Sequence, residues 1–172
     1  MFRTAQIIHR LTIPAAMVGA VALFAGPVFA QAHAEETAVI ATVQHLFDAM
    51  AARDTVAARS ILLPEGRFFS IREDGDRGIV RSTTHRAFLA QLGTAAEEAW
   101  LERMWNPRIL IHGRMAMLWT AYDFHRDGAF SHCGVDAFSL LKTSEGWKIA
   151  GTTYTVEPTG CEASPLGPPG HR

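Results

Sequence analysis

Hydrophobic and polar residues alternate at short intervals through the last third of the chain. Four runs rich in Val, Ile, Thr, Tyr, Phe and Trp cover about 103–112, 115–125, 130–142 and 147–156. β-branched and aromatic side chains suit the half-buried surface of a sheet. The second break between runs is Asp127-Gly128, a pair that favours the tight turn of a β-hairpin. The pattern therefore predicts four consecutive antiparallel strands.

An apolar stripe with helical spacing precedes these strands, within residues 37–52. Its members are Val39, Val43, Leu46, Phe47 and Met50. Residues with this spacing lie on one face of a helix. Thr37 is a suitable N-cap because its hydroxyl can accept a hydrogen bond from the first turn. The stripe predicts a helix that buries one side.

Three shorter elements are predicted between this helix and the four strands. Asp54 begins a short second helix, and residues 68–72 are aromatic enough to form a strand. Ser82 or Thr83 caps a third helix that runs to Leu92. Helices in the first half and strands in the second are typical of the α+β class, in which helices cover one face of a sheet.

The N-terminal 30 residues have the features of a secretory signal peptide. Residues 1–10 carry two Arg and no acid, and residues 11–25 form an apolar run that is short for a bilayer span. Cleavage is expected after Ala30, with Ala34 as a second option. An N-terminal membrane anchor is the alternative. Cleavage predicts a periplasmic or secreted protein without stable membrane insertion.

These features divide the chain into four segments. Residues 1–30 are the predicted signal peptide and residues 31–36 an exposed linker. Residues 37–157 form one domain, which is large enough to bury a core. Residues 158–172 are a tail whose Pro- and Gly-rich end is expected to be disordered.

Composition excludes several kinds of chemistry. The chain has 16 Lys and Arg against 17 Asp and Glu, so its charge gives no reason to expect nucleic acid as a partner. The sequence contains no zinc-protease, phosphate-loop, dinucleotide or serine-hydrolase motif, so neither a metal nor a cofactor is expected. Two cysteines in an exported chain favour a disulfide between Cys133 and Cys161, with a reactive thiol as the alternative.

The end of the predicted sheet carries a family resemblance. Its signature is Asp136-Ala137-Phe138-Ser139-Leu140, followed by Glu145-Gly146-Trp147-Lys148-Ile149. Together with the order of elements, it resembles the nuclear transport factor 2-like superfamily, of the SnoaL-like and ketosteroid isomerase-like type, over about residues 37–157. The resemblance implies a cone: a strongly curved, mostly antiparallel sheet whose concave face is covered by the N-terminal helices. The superfamily contains isomerases, dehydratases, hydrolases, cyclases and binding proteins, so the fold alone does not define a reaction.

Candidate site residues follow from the expected strand register. If Asp127-Gly128 is a two-residue turn, Asp123 lies opposite His132, and Trp119 lies opposite Asp136. In the isomerases of the superfamily the catalytic aspartate has the parity of Asp136, so the resemblance implies that this face is interior. The predicted catalytic residues are His132, Asp136 and Asp123. The predicted ligand-binding residues are Asn106, Arg108, Trp119, Met117, Phe138 and Thr153.

These residues suggest acid–base chemistry or ligand binding. His132, oriented by Asp123, would be a base, and Asp136 beside Trp119 would be an acid with a pKa raised by desolvation. The structural alternatives are a solvated pair of Asp123 with His132 and an ion pair of Asp136 with Arg108.

Three functions are consistent with the sequence. The favoured one is a protein that binds a small, largely apolar molecule without converting it. The others are a cofactor-independent acid–base enzyme and a partner-binding domain whose pocket is filled by its own side chains. The opposite face of the sheet is apolar for an outer surface, which predicts a homodimer.

Overall fold

The structure is a computed structural model that describes residues 26–94 and 98–169. Within these ranges the helices are α1 (Gly26–Ala52), α2 (Thr55–Ile61) and α3 (His85–Thr94). The strands are β1 (Leu62–Asp74), β2 (Arg77–Thr84), β3 (Trp100–His112), β4 (Met115–Arg126), β5 (Ala129–Thr143) and β6 (Gly146–Thr155). They form one curved sheet in the order β2-β1-β6-β5-β4-β3. Only β1 and β6 pair in parallel among these strands. The α+β class and the four C-terminal strands are confirmed.

The apolar stripe of α1 forms the centre of the core. All five of its predicted members are at least 94% buried. They pack against inner-face side chains of the sheet, and the rings of Phe47 and Phe138 lie 6.0 Å apart. Burying such side chains stabilises the fold by about 1.5–3 kcal/mol each. The stripe is therefore the main reason why α1 covers the sheet.

The start of α1 differs from the prediction. The helix already contains residues 31–36, expected as a linker, and Thr37 is not its N-cap because its hydroxyl donates to the carbonyl of His33 at 2.9 Å. Glu35 explains the earlier start. Its carboxylate pairs with Lys142 and accepts a hydrogen bond from Trp147 Nε1 at 3.0 Å. These contacts hold the helical turn that contains Glu35 against the sheet.

The predicted signal peptide falls largely outside the described residues, which begin at position 26. The apolar run over residues 11–25 belongs to that part of the chain. Among the helices of the described residues, none is long and apolar enough to cross a membrane.

The β1–β2 hairpin is the largest element that differs from the prediction. Its first strand is longer than the expected 68–72, and β2 was not predicted. Most of β2 is exposed on both faces, so it lacks the apolar alternation that marks a half-buried strand. The helix after it is capped by Thr84, whose hydroxyl accepts from the amide of Ala87 at 3.1 Å.

A β-bulge near the β4–β5 turn reverses the expected facing of β4. His125 still pairs with Phe130, as a two-residue turn requires, but Phe124 pairs with His132. The extra residue on β5 is Ser131, and one inserted residue moves a whole strand face to the other side. As a result Asp136 lies opposite Thr120 instead of Trp119.

The predicted disulfide is confirmed. Cys133 on β5 and Cys161 are bonded, with their Cα atoms 6.1 Å apart. The tail then crosses the outer face of the sheet, where Arg103 Nη1 donates to the carbonyl of Gly167 at 2.9 Å. The segment through residue 169, expected to be disordered, thus has a defined contact, and residues 170–172 lie outside the described part.

Candidate functional site: a cavity with a carboxyl pair

A cavity of about 220 Å³ lies between the helices and the inner face of the sheet. Its walls are mainly aromatic: Phe47, Phe68, Phe88, Trp100, Phe124 and Phe138. Its polar lining includes Glu102, His132, Asp136, Thr152 and Tyr154. An apolar cavity of about 150 Å³ is large enough for benzene. This one has the size and composition of a site for a somewhat larger planar molecule.

Two carboxyl groups meet in this cavity. Glu102 comes from β3 and Asp136 from β5, the two neighbours of β4, and both side chains line the cavity. A hydrogen bond between two carboxyl groups needs a proton on one of them, because ionised carboxylates only accept. Asp136 is 2% exposed, and its buried Oδ2 has no hydrogen-bond partner among the described residues. Burial and the neighbouring negative charge both disfavour two ionised groups, so the pair retains a proton.

Burial controls the ionisation of this pair. Desolvation raises the pKa of Asp136 to about 7, although its hydrogen bond with Glu102 acts in the opposite direction. Desolvation also raises the pKa of Glu102, and the charge and hydrogen bond of Asp136 raise it further. The two groups titrate as a unit, since each changes the charge that the other senses.

The surroundings give the pair little positive charge. Arg126 on β4 is the one Lys or Arg among the described lining residues, and it interacts with Glu98 at 3.6 Å. Burial raises the pKa of both Tyr122 and Tyr154, so both remain neutral hydroxyls. The lining side chains from α1, α3 and β2 are uncharged. The inner end of the cavity is consequently acidic.

His132 lines the same cavity in its neutral form. Desolvation, followed by the charge of Arg126, lowers the pKa of His132 to about 4. Its ring lies 5.0 Å from that of Phe124, and its Nδ1 is 3.0 Å from the hydroxyl of Ser131. At neutral pH the imidazole can therefore accept or donate one hydrogen bond without adding charge.

Asp123 does not orient His132, and the predicted pair is wrong. The bulge at Ser131 places Asp123 on the outer face, where Arg103 donates to both of its carboxylate oxygens, at 2.8 and 2.5 Å. His125 Nε2 lies 3.4 Å from the same carboxylate. Burial alone would raise the pKa of Asp123, but Arg103 and His125 lower it below its ordinary value.

The predicted ligand-binding residues divide in the same way. Phe138 lines the cavity, as do His132 and Asp136. The expected inward facing of five others is wrong: Asn106, Arg108, Met117, Trp119 and Thr153 are exposed on the outer face.

Two further irregularities explain part of this difference. In β3 the register shifts between Trp105 and Arg108, and Asn106 has a φ of 52°. In β6 the pairing shifts at Ala150, which turns Thr152 inward and Thr153 outward. Each bulge exchanges the two faces of its strand.

Sequence reasoning missed Glu102, Thr152, Tyr154 and Trp100. A signal for Glu102 was present in the alternation of Trp100, Glu102 and Met104, which places one acid between two large apolar residues on the same face. The predicted strand began after this acid, so the alternation was not extended to it.

Structural comparison defines the class of fold. An NTF2-like protein from Silicibacter pomeroyi matches with a TM-score of 0.53 and 19% identity, over 73% of this chain and 98% of that chain. A nuclear transport factor 2 superfamily protein from Salmonella enterica serovar Typhimurium has a TM-score of 0.59 and 12% identity, over 76% and 96% of the two chains. A Streptomyces avermitilis protein described as "a putative dehydratase from the NTF2-like family" has a TM-score of 0.56 and 14% identity, over 73% and 97%. The fold is therefore NTF2-like, as the sequence resemblance implied.

The sequence also places the chain in a family. The model of the family described as "Putative lumazine-binding" matches residues 34–155, and the chain belongs to this family. A search of curated proteins gave no significant match.

Proposed function

We propose that the protein binds a small, planar, largely apolar molecule in the cavity of its cone. The observation that carries this proposal is the cavity itself, which is lined by aromatic rings and has polar groups at one end. Such a combination is the usual form of a small-molecule site. The family description supports the proposal because it names a planar bicyclic heterocycle, lumazine, as a ligand.

Two neighbouring threonines on β6 provide a matched test. Thr152 is 4% exposed and lines the cavity, whereas Thr153 is exposed on the outer face. Phe at position 152 fills the cavity, so Thr152→Phe is expected to weaken binding by about tenfold or more. Thr153→Phe should leave binding unchanged.

Binding would be measured by quenching of tryptophan fluorescence, since Trp100 lies in the cavity wall. The probes are lumazine and a set of neutral bicyclic aromatics. The proposal fails if none of these probes binds, or if both Phe variants bind them as well as the unchanged protein does.

The carboxyl pair favours acid–base catalysis as the second candidate. A protonated Glu102–Asp136 pair can donate a proton, and neutral His132 in the same cavity can accept one. The roles differ from those predicted from sequence because Asp123 takes no part. Exchange of the α-hydrogens of 2-tetralone, a bicyclic ketone, with deuterium would test this by NMR. Exchange that is equal in the unchanged protein and in Asp136→Asn counts against an enzyme.

We also propose that the protein is exported and acts in the periplasm or outside the cell. The charged and apolar pattern of residues 1–30 and the Cys133–Cys161 disulfide support this. Cleavage after Ala30 would leave Glu35 in the mature protein, with its contacts to Lys142 and Trp147 preserved. The mass of the protein from the exported fraction tests the site, and an uncleaved mass would contradict export through this signal.

A further inference from the structure

We infer that the cavity selects planar nitrogen heterocycles with an amidine edge, meaning a ring nitrogen beside an exocyclic amino group, and that Glu102 and Asp136 bind this edge. The inference rests on the proposed small-molecule binding and adds the chemical class of the ligand.

The carboxyl pair sets the chemistry of the edge. Its two side chains offer only oxygens and one retained proton, and no lysine or arginine of the described lining touches them. When a ring nitrogen takes up that proton, the ligand gains two parallel N–H donors and one positive charge. Both donors then point at carboxylate oxygens, a charge-assisted arrangement stronger than neutral hydrogen bonds. The proton is conserved, since it moves from the pair to the ring nitrogen.

Thr152 gives independent support for a polar ligand. Thr152 is only 4% exposed and lines the cavity. Its hydroxyl has no hydrogen-bond partner among the described residues. A buried hydroxyl without a partner costs free energy, on the order of 1–3 kcal/mol. A ligand with polar atoms on its edge can supply the missing partner, and a hydrocarbon cannot.

The same surroundings disfavour acidic ligands. A second negative charge beside the pair would meet Glu102 and Asp136 directly, with Asp123 on the other side of the sheet adding to the same sign. Arg126 lies nearer to His132 and is shared with Glu98, so it offers limited compensation. The neutral hydroxyls of Tyr122 and Tyr154 complete the set of titratable groups that face the pair.

Two quinolines of equal size test this selectivity. 2-Aminoquinoline carries the amidine edge, and 2-quinolone presents a ring N–H beside a carbonyl on the same skeleton. Calorimetric titration of the purified protein at pH 7 should show that 2-aminoquinoline binds at least about tenfold more tightly than 2-quinolone, since charge-assisted hydrogen bonds replace neutral ones. Quinoline-2-carboxylate, an anion of similar shape, should bind more weakly than either.

Variants assign the selectivity to the pair. Asp136→Asn should reduce the preference for 2-aminoquinoline to about threefold or less. Glu102→Gln, at a half-buried position, should reduce it as well. Glu73→Gln removes an exposed carboxylate from β1 and should retain the full preference.

The outcomes separate the two levels of the argument. If both quinolines bind equally, or the quinolone binds more tightly, the inference is overturned while ligand binding stands. If Asp136→Asn weakens the binding of both quinolines equally, the inference is also overturned, because the variant would then act on structure alone. If lumazine and both quinolines fail to bind, the proposed function falls, and the inference falls with it.

Discussion

Asp123 and Asp136 lie on neighbouring strands of one sheet and are almost equally buried, at 4% and 2% exposure. They differ in the charged or polar group that lies beside each carboxylate. On the outer face Asp123 meets the guanidinium of Arg103, whereas on the inner face Asp136 meets a second carboxyl group. The pKa of the first is lowered and that of the second is raised. Burial of a carboxyl group alone therefore does not mark a candidate site, whereas burial without a neighbouring cation does.

The contributions of Asp136 and Asp123 to the free energy of unfolding also depend on pH in opposite ways. The raised pKa of Asp136 means that the folded state holds its proton more tightly than the unfolded chain. That contribution is fully present below about pH 4 and is lost as the pH rises towards 7. The lowered pKa of Asp123 acts in the opposite sense, so its contribution is present at neutral pH and is lost in acid.

Breaking the outer pair is expected to have the largest effect. Arg103→Met leaves a buried carboxylate without its partner, which costs about 3–5 kcal/mol of the free energy of unfolding. Arg108→Met, on the exposed side of the same strand, is the control and should change this free energy by less than about 0.5 kcal/mol. Urea denaturation at pH 7 measures both. Similar values for the two variants would show that Asp123 does not depend on Arg103.

Loss of the Cys133–Cys161 disulfide, which holds the tail over Arg103 and Asp123, is expected to have the second-largest effect on stability. Cys161→Ser removes a link between positions separated by 28 residues, and the loss is expected to be about 3 kcal/mol. Thermal unfolding should show a lower midpoint for the variant in oxidising buffer and none of this difference under reductant. A difference that persists under reductant would mean that the substitution itself, and not the missing bond, destabilises the fold.

The inner pair should produce a smaller, pH-dependent effect. Between pH 5 and pH 8 the proton of the pair is expected to contribute a loss of about 2 kcal/mol to the free energy of unfolding, because each unit of pKa shift corresponds to about 1.4 kcal/mol. The lowered pKa values of His132 and His85 act in the opposite sense over this interval. Asp136→Asn cannot titrate, so from pH 5 to pH 8 the free energy of unfolding of the variant should change by about 2 kcal/mol in the favourable direction relative to the unchanged protein, while Asp123 contributes little change in the same range. Urea denaturation at several pH values would measure the slope. The same slope in Asp136→Asn and in the unchanged protein would refute the retained proton.

The exposed apolar part of the outer face is expected to affect assembly more than folding. Leu110, Met117 and Trp119 are 75%, 39% and 57% exposed on adjacent strands. We propose that a second copy of the chain covers them. Light scattering should give twice the protomer mass for the protein and one protomer mass for Trp119→Asp, with little loss of stability. A monomeric unchanged protein would contradict this interface.

The sequence predicted the elements of this fold better than it predicted their facing. The α1 stripe and the four C-terminal strands depend on the spacing of many apolar residues, and one irregular position does not change such a pattern. Facing depends on single residues. The bulge at Ser131 alone moved Asp123, Met117 and Trp119 from the expected interior to the outside.

The candidate site was only partly predictable for the same reason. His132, Asp136 and Phe138 share a strand segment without a bulge, so their common face could be inferred from alternation. Glu102 reaches the cavity from a strand two positions away in the sheet. Its meeting with Asp136 depends on curvature and register that no local pattern contains.

The tail beneath which Asp123 is buried has a consequence for the order of folding. Cys161 and Gly167 follow the whole sheet in the chain, yet they complete the surroundings of Arg103 and Cys133, which are synthesised much earlier. A chain that is still being synthesised or translocated therefore lacks these contacts on its outer face. Full stability arrives only when the segment through Gly167 has emerged and an oxidant has joined the two cysteines.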